Sequence, residues 1–316
     1  MSGPITYIKT GFTTDKIPDL TGKTAIVTGG NAGLGYETVL ELTKKGAKVF
    51  MACRSEERAR ASIDKIHQIT GKQSVEFLLL DLQDMKQTKA AALAFLAKDI
   101  PLDILVNNAG IMACPFALTK DGIETQMGTN HVGHFVFTTN LIPALKRAAP
   151  SRVVIVASHA YVFAPDYGID FDKINVESQG SSWMRYGQSK LANILFARSL
   201  HKRFKDSGIF SYSLHPGVVH TELMRGPVNL YGLSSVLSVV SWMASWLKGI
   251  LVLQADQGAL TQLYLATSPD VLNEEHSGKY FIPFGKEPSE CKPIAKDDDL
   301  ADKLWEWSEK MVAEKL

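Results

Sequence analysis

The chain has 316 residues, 45% hydrophobic and 21% charged, with a formal charge of +1. That is the make-up of a globular protein of one large α/β domain or two small ones, with neither the basic excess of a nucleic-acid binder nor an acidic disordered run. Three widely spaced cysteines, Cys53, Cys114 and Cys291, exclude a disulfide framework and fit reduced thiols in the cytoplasm, and without C-x-x-C or H-E-x-x-H no metal site is expected.

Residues 1–22 read as an extended arm, interrupted by Pro4, Gly11 and Pro18. Met1 to Lys23 carries Lys9, Asp15, Lys16 and Asp19 and lacks an apolar core, which speaks against a signal peptide or a spanning helix. Residues 24–28, TAIVT, are a short apolar run of the kind buried on both faces. Gly29, Gly33 and Gly35 follow, and then a helical pattern through Val39, Leu40 and Leu42 to Gly46. Strand, glycine turn and helix open a dinucleotide-binding unit: glycine lets the backbone approach a pyrophosphate, and the helix N-terminus offers free N–H groups and a positive dipole end. The spacing is Gly-x-x-x-Gly-x-Gly, not the commoner G-x-G-x-x-G.

A second strand, 49–53, runs into Arg54. An NAD-selective site places a carboxylate about 20 residues beyond the glycine turn, to hold the ribose 2′-hydroxyl. Here Ala52, Cys53 and Arg54 stand instead, so nothing repels a 2′-phosphate and Arg54 can grip one, which favours NADP over NAD. The competing role for Arg54 is a surface pair with Glu56 or Glu57. A charged helix over 56–70 leads to a third strand, 75–80, ending at Asp81-Leu82. Asp81 either accepts from an adenine amino group or caps the next helix, 84–98. The fourth strand, 102–106, enters Asn107-Asn108-Ala109-Gly110, and the helix after it carries Asn130, His131 and His134. Strand five, 153–156, ends at Ala157-Ser158; a helix over 183–204 follows. Strand six, 210–214, closes on His215-Pro216-Gly217, and 279–283 is the seventh.

This alternation predicts an α/β fold: a single Rossmann-type, doubly wound domain over 23–285, with about seven parallel strands and helices on both faces. In the helix 183–204, Tyr186 and Lys190 lie one turn apart on one face. A phenol with a pKa of about 10 is a poor proton shuttle at neutral pH, and a neighbouring ammonium favours its ionised form. The pair is an acid/base device.

TGGNAGLG at 28–35, NNAG at 107–110, Ser158, YGQSK at 186–190 and HPG at 215–217 resemble the short-chain dehydrogenase/reductase family in order and spacing. ACRSEERA at 52–59 and TNHVGHF at 129–135 are similar to its retinol-dehydrogenase-like branch. The resemblance implies that Tyr186 exchanges the proton, that Lys190 binds the nicotinamide ribose and lowers the tyrosine pKa, that Ser158 bonds the substrate oxygen, and that Asn130 holds a water in a relay from Lys190. Gly29, Gly33 and Gly35 would line the pyrophosphate with Asn31 nearby. Asp81, Leu82 and Asn108 would border the adenosine half, and Val218 and Thr221 would hold the nicotinamide amide. Leu34, Ala109, Gly110, Pro216 and Gly217 complete the cofactor set, with Arg54 for the 2′-phosphate. The gap between Ser158 and Tyr186 exceeds that of compact members, and the retinol-dehydrogenase-like branch carries a similar insert.

Residues 228–253 form the most apolar stretch. Serines at helical spacing, with Gly232 and Gly249, favour an amphipathic lid over a lipophilic substrate; peripheral contact with a membrane surface ranks second and a full span last. Residues 286–316 are a tail whose final helix packs either on the domain or on a partner subunit, so a homo-oligomer stays open. The reading is an NADP-dependent oxidoreductase of a small hydrophobic alcohol or carbonyl compound; a nucleotide-sensing regulator without turnover is the alternative.

Overall fold

The computed structural model describes residues 11–178, 180–219 and 253–316. The strands are β1 Thr24–Thr28, β2 Lys48–Cys53, β3 Val75–Leu79, β4 Ile104–Asn107, β5 Ser151–Val156, β6 Ile209–Leu214 and β7 Tyr280–Phe281. They form one seven-stranded parallel sheet in the order β3-β2-β1-β4-β5-β6-β7. Direction of winding reverses between β1 and β4, which opens a crevice at their carboxyl ends.

Alternate strand residues feed opposite layers. Ala25, Val27, Val49 and Met51 pack under α1 Gly33–Lys44, α2 Glu56–Thr70 and α6 Ala255–Thr267. Ile26, Phe50 and Ala52 face α3 Met85–Leu96, α4 Gly133–Arg147 and α5 Ser182–Phe204. Local chemistry sets the helix ends. Ser55 accepts from Arg58 N to start α2, and Gly71 at φ +69 stops it. Asp84, not Asp81, caps α3, accepting from Gln87 N. Ahead of α4 the backbone runs through Thr125–Met127 and a π-helical stretch, Gly128–Val132, that holds Asn130. Strand β7 stops short of the expected 283 because Ile282 N turns to the Lys286 carbonyl (2.7 Å) and Pro283 has no N–H.

Residues 11–22 are docked rather than merely extended. Phe12, Ile17 and Leu20 are buried, and Phe12 meets Tyr264 edge-on at 5.2 Å. The last helix, α7 Asp298–Lys315, packs on its own domain. Its Trp305 is buried among Phe135, Phe196 and Phe204, and Asp298 and Asp302 pair with Arg198 and Arg203 of α5 (2.7 and 2.9 Å). No helix among the described residues is long and apolar enough to cross a membrane. Thr221 and residues 228–252 of the expected lid lie outside the described residues.

Replacing Trp305 by Ala removes this anchor; it should cost about 3–5 kcal/mol by urea unfolding, the usual range for a buried aromatic cut to Ala. The core also contains three imidazoles that burial holds neutral: His131 is pushed down to about 3, His134 to about 4 and His215 to about 3. In the unfolded chain they take protons near the ordinary 6.5, so in that window the unfolded state binds more protons and stability rises with pH. Glu124 and Glu37, whose carboxyls burial raises, act in the opposite sense, while burial lowers His159 and His201 as well. The unfolding midpoint should therefore be lost progressively as pH falls from about 6.5 towards 4, by about 1.4 kcal/mol per pH unit for each imidazole.

Candidate active site

The crevice at the carboxyl ends of β1, β4, β5 and β6 is lined by Gly29, Gly33, Leu34, Asn108, Ala109, Gly110, Ser158, Tyr186, Lys190, Pro216, Gly217 and Val218. Gly29 has φ +65, and a Cβ on Gly35 would overlap the Gly29 carbonyl and the Asn108 amide. Only glycine permits that approach of α1 to β1 and β4. Helix α1 starts on Ala32 without a side-chain cap, whereas α2, α3, α5 and α7 are capped by Ser55, Asp84, Ser181 and Asp297. The first N–H groups of α1 thus lack a side-chain acceptor at the crevice mouth, which suits a phosphate.

Opposite them, Tyr186 and Lys190 are buried, at 3% exposure each. The Ser158 side chain stands near enough to the Tyr186 hydroxyl to favour its ionised form, and its Oγ accepts from Ala160 N (3.2 Å). Ser158 is fixed there as the cap of the 3-10 turn His159–Phe163. Gly187 lets that turn lie against α5, since a Cβ would sit 2.7 Å from Ala164 N and 2.8 Å from the Ala160 carbonyl. Lys190 Nζ donates to the Val156 carbonyl (2.9 Å), its one acceptor among the described residues. Two of its three N–H bonds are left for ribose hydroxyls.

With the protein's own groups alone, burial dominates both titrations. It pushes the Tyr186 phenol up to about 12, against a smaller lowering by Ser158, and Lys190 down to about 7. The ammonium lies 5.7 Å from the tyrosine ring centroid, and desolvation of a phenolate outweighs its help.

Asn130 sits behind Gly110, entirely buried. Its side chain accepts from Ile111 N (2.9 Å) and donates to the Ile111 carbonyl (3.0 Å) and Ser189 Oγ (2.9 Å). Besides Asn130 and Gly35, four predicted residues lie off the wall. Arg54 is exposed beyond β2, and no ion pair among the described residues uses it; Glu56 pairs with Arg60 instead. Asn31 turns its carbonyl to Ser62 (3.0 Å), Asp81 accepts from Gln83 N (3.1 Å), and Leu82 is a core residue against Gly133. The wall also uses Ala32, Met112, Val156, Ala157, Trp183, His215 and Val219, to which the sequence reading gave no role. Trp183 had one usable signal: it stands three residues before Tyr186, on the same helical face, and meets it edge-on at 6.2 Å.

The profile of the short chain dehydrogenase family matches residues 23–167. An uncharacterized oxidoreductase of Schizosaccharomyces pombe is 42% identical over 310 residues, covering 95% of this chain and 88% of that protein. Retinol dehydrogenase 11 of Homo sapiens is 39% identical over 294 residues, 92% of this chain and 85% of its own length. The crystal structure of NADPH-bound carbonyl reductase from chicken fatty liver is 23% identical with a TM-score of 0.61, covers 85% of this chain and 99% of that one, and shares the fold. With such similarity along nearly its whole length, the chain belongs to the short-chain dehydrogenase/reductase family, in the retinol-dehydrogenase-like branch, and is an oxidoreductase.

Proposed function

We propose that this chain is an NADP(H)-dependent oxidoreductase that interconverts a hydrophobic alcohol and its aldehyde or ketone. One observation carries the reading: Tyr186, Ser158 and a Lys190 with spare donors share a crevice with the uncapped N-terminus of α1. Those groups fit a dinucleotide, phosphates at α1 and a ribose at Lys190. A nicotinamide held there would supply the hydride for reduction of the substrate carbon and accept it in oxidation.

The chain's own groups manage the proton. A phenol at about 12 stays protonated at neutral pH, so Tyr186 is set to donate to the substrate oxygen as negative charge grows on it. Ser158 steadies the same oxygen. Lys190, at about 7, is poised to lose and regain a proton near neutrality. Asn130, whose side-chain atoms are engaged, holds the relay water on its main-chain carbonyl, which has two lone pairs.

Met112, Phe163 and Trp183 pack around Tyr186, so the reacting carbon arrives among apolar side chains. The human relative is named for retinol, a lipophilic alcohol, which agrees with this wall. Val219, on the crevice wall, pairs with Leu253. Arg54, exposed and in no ion pair among the described residues, and the missing acid at the end of β2 favour NADP over NAD.

Tyr186→Phe should keep NADPH affinity within about twofold and lose at least about a thousandfold in turnover, followed at the NADPH absorbance band with a panel of retinoids, steroids, ketones and aldehydes. Near-wild-type turnover in that variant would overturn the mechanism. Arg54→Ala should weaken NADPH about tenfold by fluorescence titration and leave NADH nearly unchanged, as expected for one charge-assisted contact to phosphate. Equal loss for both nucleotides would remove Arg54 from the site.

A further inference from the structure

We propose that His134 is a positioning residue that ties the floor of the nucleotide crevice to the main-chain carbonyl of Asn130, one ring nitrogen serving each. The inference rests on the function proposed above and deepens it.

The imidazole is entirely buried in the first turn of α4 and bridges two sites. Nε2 lies 2.9 Å from the Thr28 hydroxyl, and Nδ1 lies 2.9 Å from the Asn130 carbonyl oxygen. The proton positions follow from counting. The Thr28 hydroxyl accepts from both Asn108 N and Ala109 N (2.9 Å each), which fills its two lone pairs. Its own proton goes to His134 Nε2 at 2.9 Å in preference to the Val106 carbonyl at 3.5 Å. Asn130 O can only accept, so Nδ1 bears the imidazole hydrogen. Both ends demand the same tautomer, and the ring is neutral.

Each end of the bridge meets a different part of the chemistry. Thr28 is the last residue of β1, and its hydroxyl holds the N–H groups of Asn108 and Ala109, two crevice residues. Asn130 lies in the π-helical stretch, where the backbone departs from the α-helical ladder. Its side chain grips Ile111 and reaches Ser189, the neighbour of Lys190. A Cβ placed on Gly110 would lie 3.1 Å from Asn130 Oδ1 and 3.5 Å from Lys190 Nζ, so both side chains border the same space beside Gly110. By taking one lone pair of the Asn130 carbonyl, the Nδ1–H fixes where the other points, and hence where a relay water can sit.

Two amide substitutions separate the halves. In His134→Asn the amide nitrogen takes the place of Nδ1 and can donate to the carbonyl four residues back, as Asn140 does to Val136 in the same helix (2.8 Å); the Thr28 contact is lost. In His134→Gln the amide oxygen takes the place of Nε2 and can accept from Thr28, and the donor to Asn130 is lost. The measurements are NADPH affinity by fluorescence titration, single-turnover rate at saturating NADPH, and melting temperature, on the full chain. His134→Asn should raise the Kd for NADPH about tenfold and reduce the rate far less; His134→Gln should do the reverse, a tenfold change being about 1.4 kcal/mol. Thr28→Val should weaken NADPH more than His134→Asn does, because it also removes the acceptor of Asn108 N and Ala109 N, and adding His134→Asn to it should cost little more, since the Thr28–His134 contact is already gone. Affinity and rate falling in the same proportion in both variants, or in neither, overturns the bridge; a lower melting temperature without the split marks the ring as structural only. A wild-type chain that neither binds nor oxidises NADPH fails the functional reading and the inference together, whereas an active wild type with no split between variants fails the inference alone.

Discussion

Between β1 and β4 the sheet changes its direction of winding, and the pairing of these two strands stops at Val27 and Val106. Backbone N–H groups left at that point have to be satisfied by something other than the ladder. One hydroxyl does much of this: Thr28 accepts from Asn108 N and Ala109 N, while the Asn108 amide returns a bond to the Thr28 carbonyl (2.8 Å). The gap stays open, so its walls come from whatever lies at the carboxyl ends of four strands. Gly29, Gly35 and Gly110 have no side chains that would close it, and α1 presents an uncapped N-terminus to it.

The opposite wall is an electrostatic compromise. Lys190 is buried with one carbonyl acceptor and no carboxylate among the described residues, so its amine sits near the midpoint of titration at neutral pH. Tyr186, in the same apolar setting, keeps its proton. Desolvation moves the two in opposite directions because it disfavours whichever form is charged. The result is a protonated phenol beside a readily discharged amine, an arrangement suited to giving a proton to a forming alkoxide. Two flanking elements hold it: the 3-10 turn that carries Ser158, set close by Gly187, and the π-helical stretch that carries Asn130.

Parts far from the crevice stiffen its support. Helix α7 lies along α5 through Trp305 and a row of ion pairs, so the helix with Tyr186 and Lys190 is packed on both sides. Phe12, Ile17 and Leu20 tie residues 11–22 to the opposite layer. Exposed ion pairs of this kind contribute little individually, and the buried aromatic contact dominates.

The sequence by itself determined the alternation of strands and helices, the glycine turn and the register of Tyr186 with Lys190, because these depend on short-range periodicity and on backbone freedom at single residues. It also located the ends of α2, where a serine cap and a left-handed glycine bracket the segment. The rest had no local signal. Whether α7 docks on its own domain depends on Trp305 meeting Phe135 and Phe196 at great chain separation. The direction in which Tyr186 titrates follows from burial, which no spacing encodes, and it is opposite to what the Tyr-x-x-x-Lys pair alone implies. The bridge from Thr28 to His134 spans 106 positions along the chain and exists only because a parallel sheet lays β1 against β4, beside the helix that follows. Local pattern sets which residues are available; tertiary packing sets which of them lose water and whom they face, and that decides their chemistry.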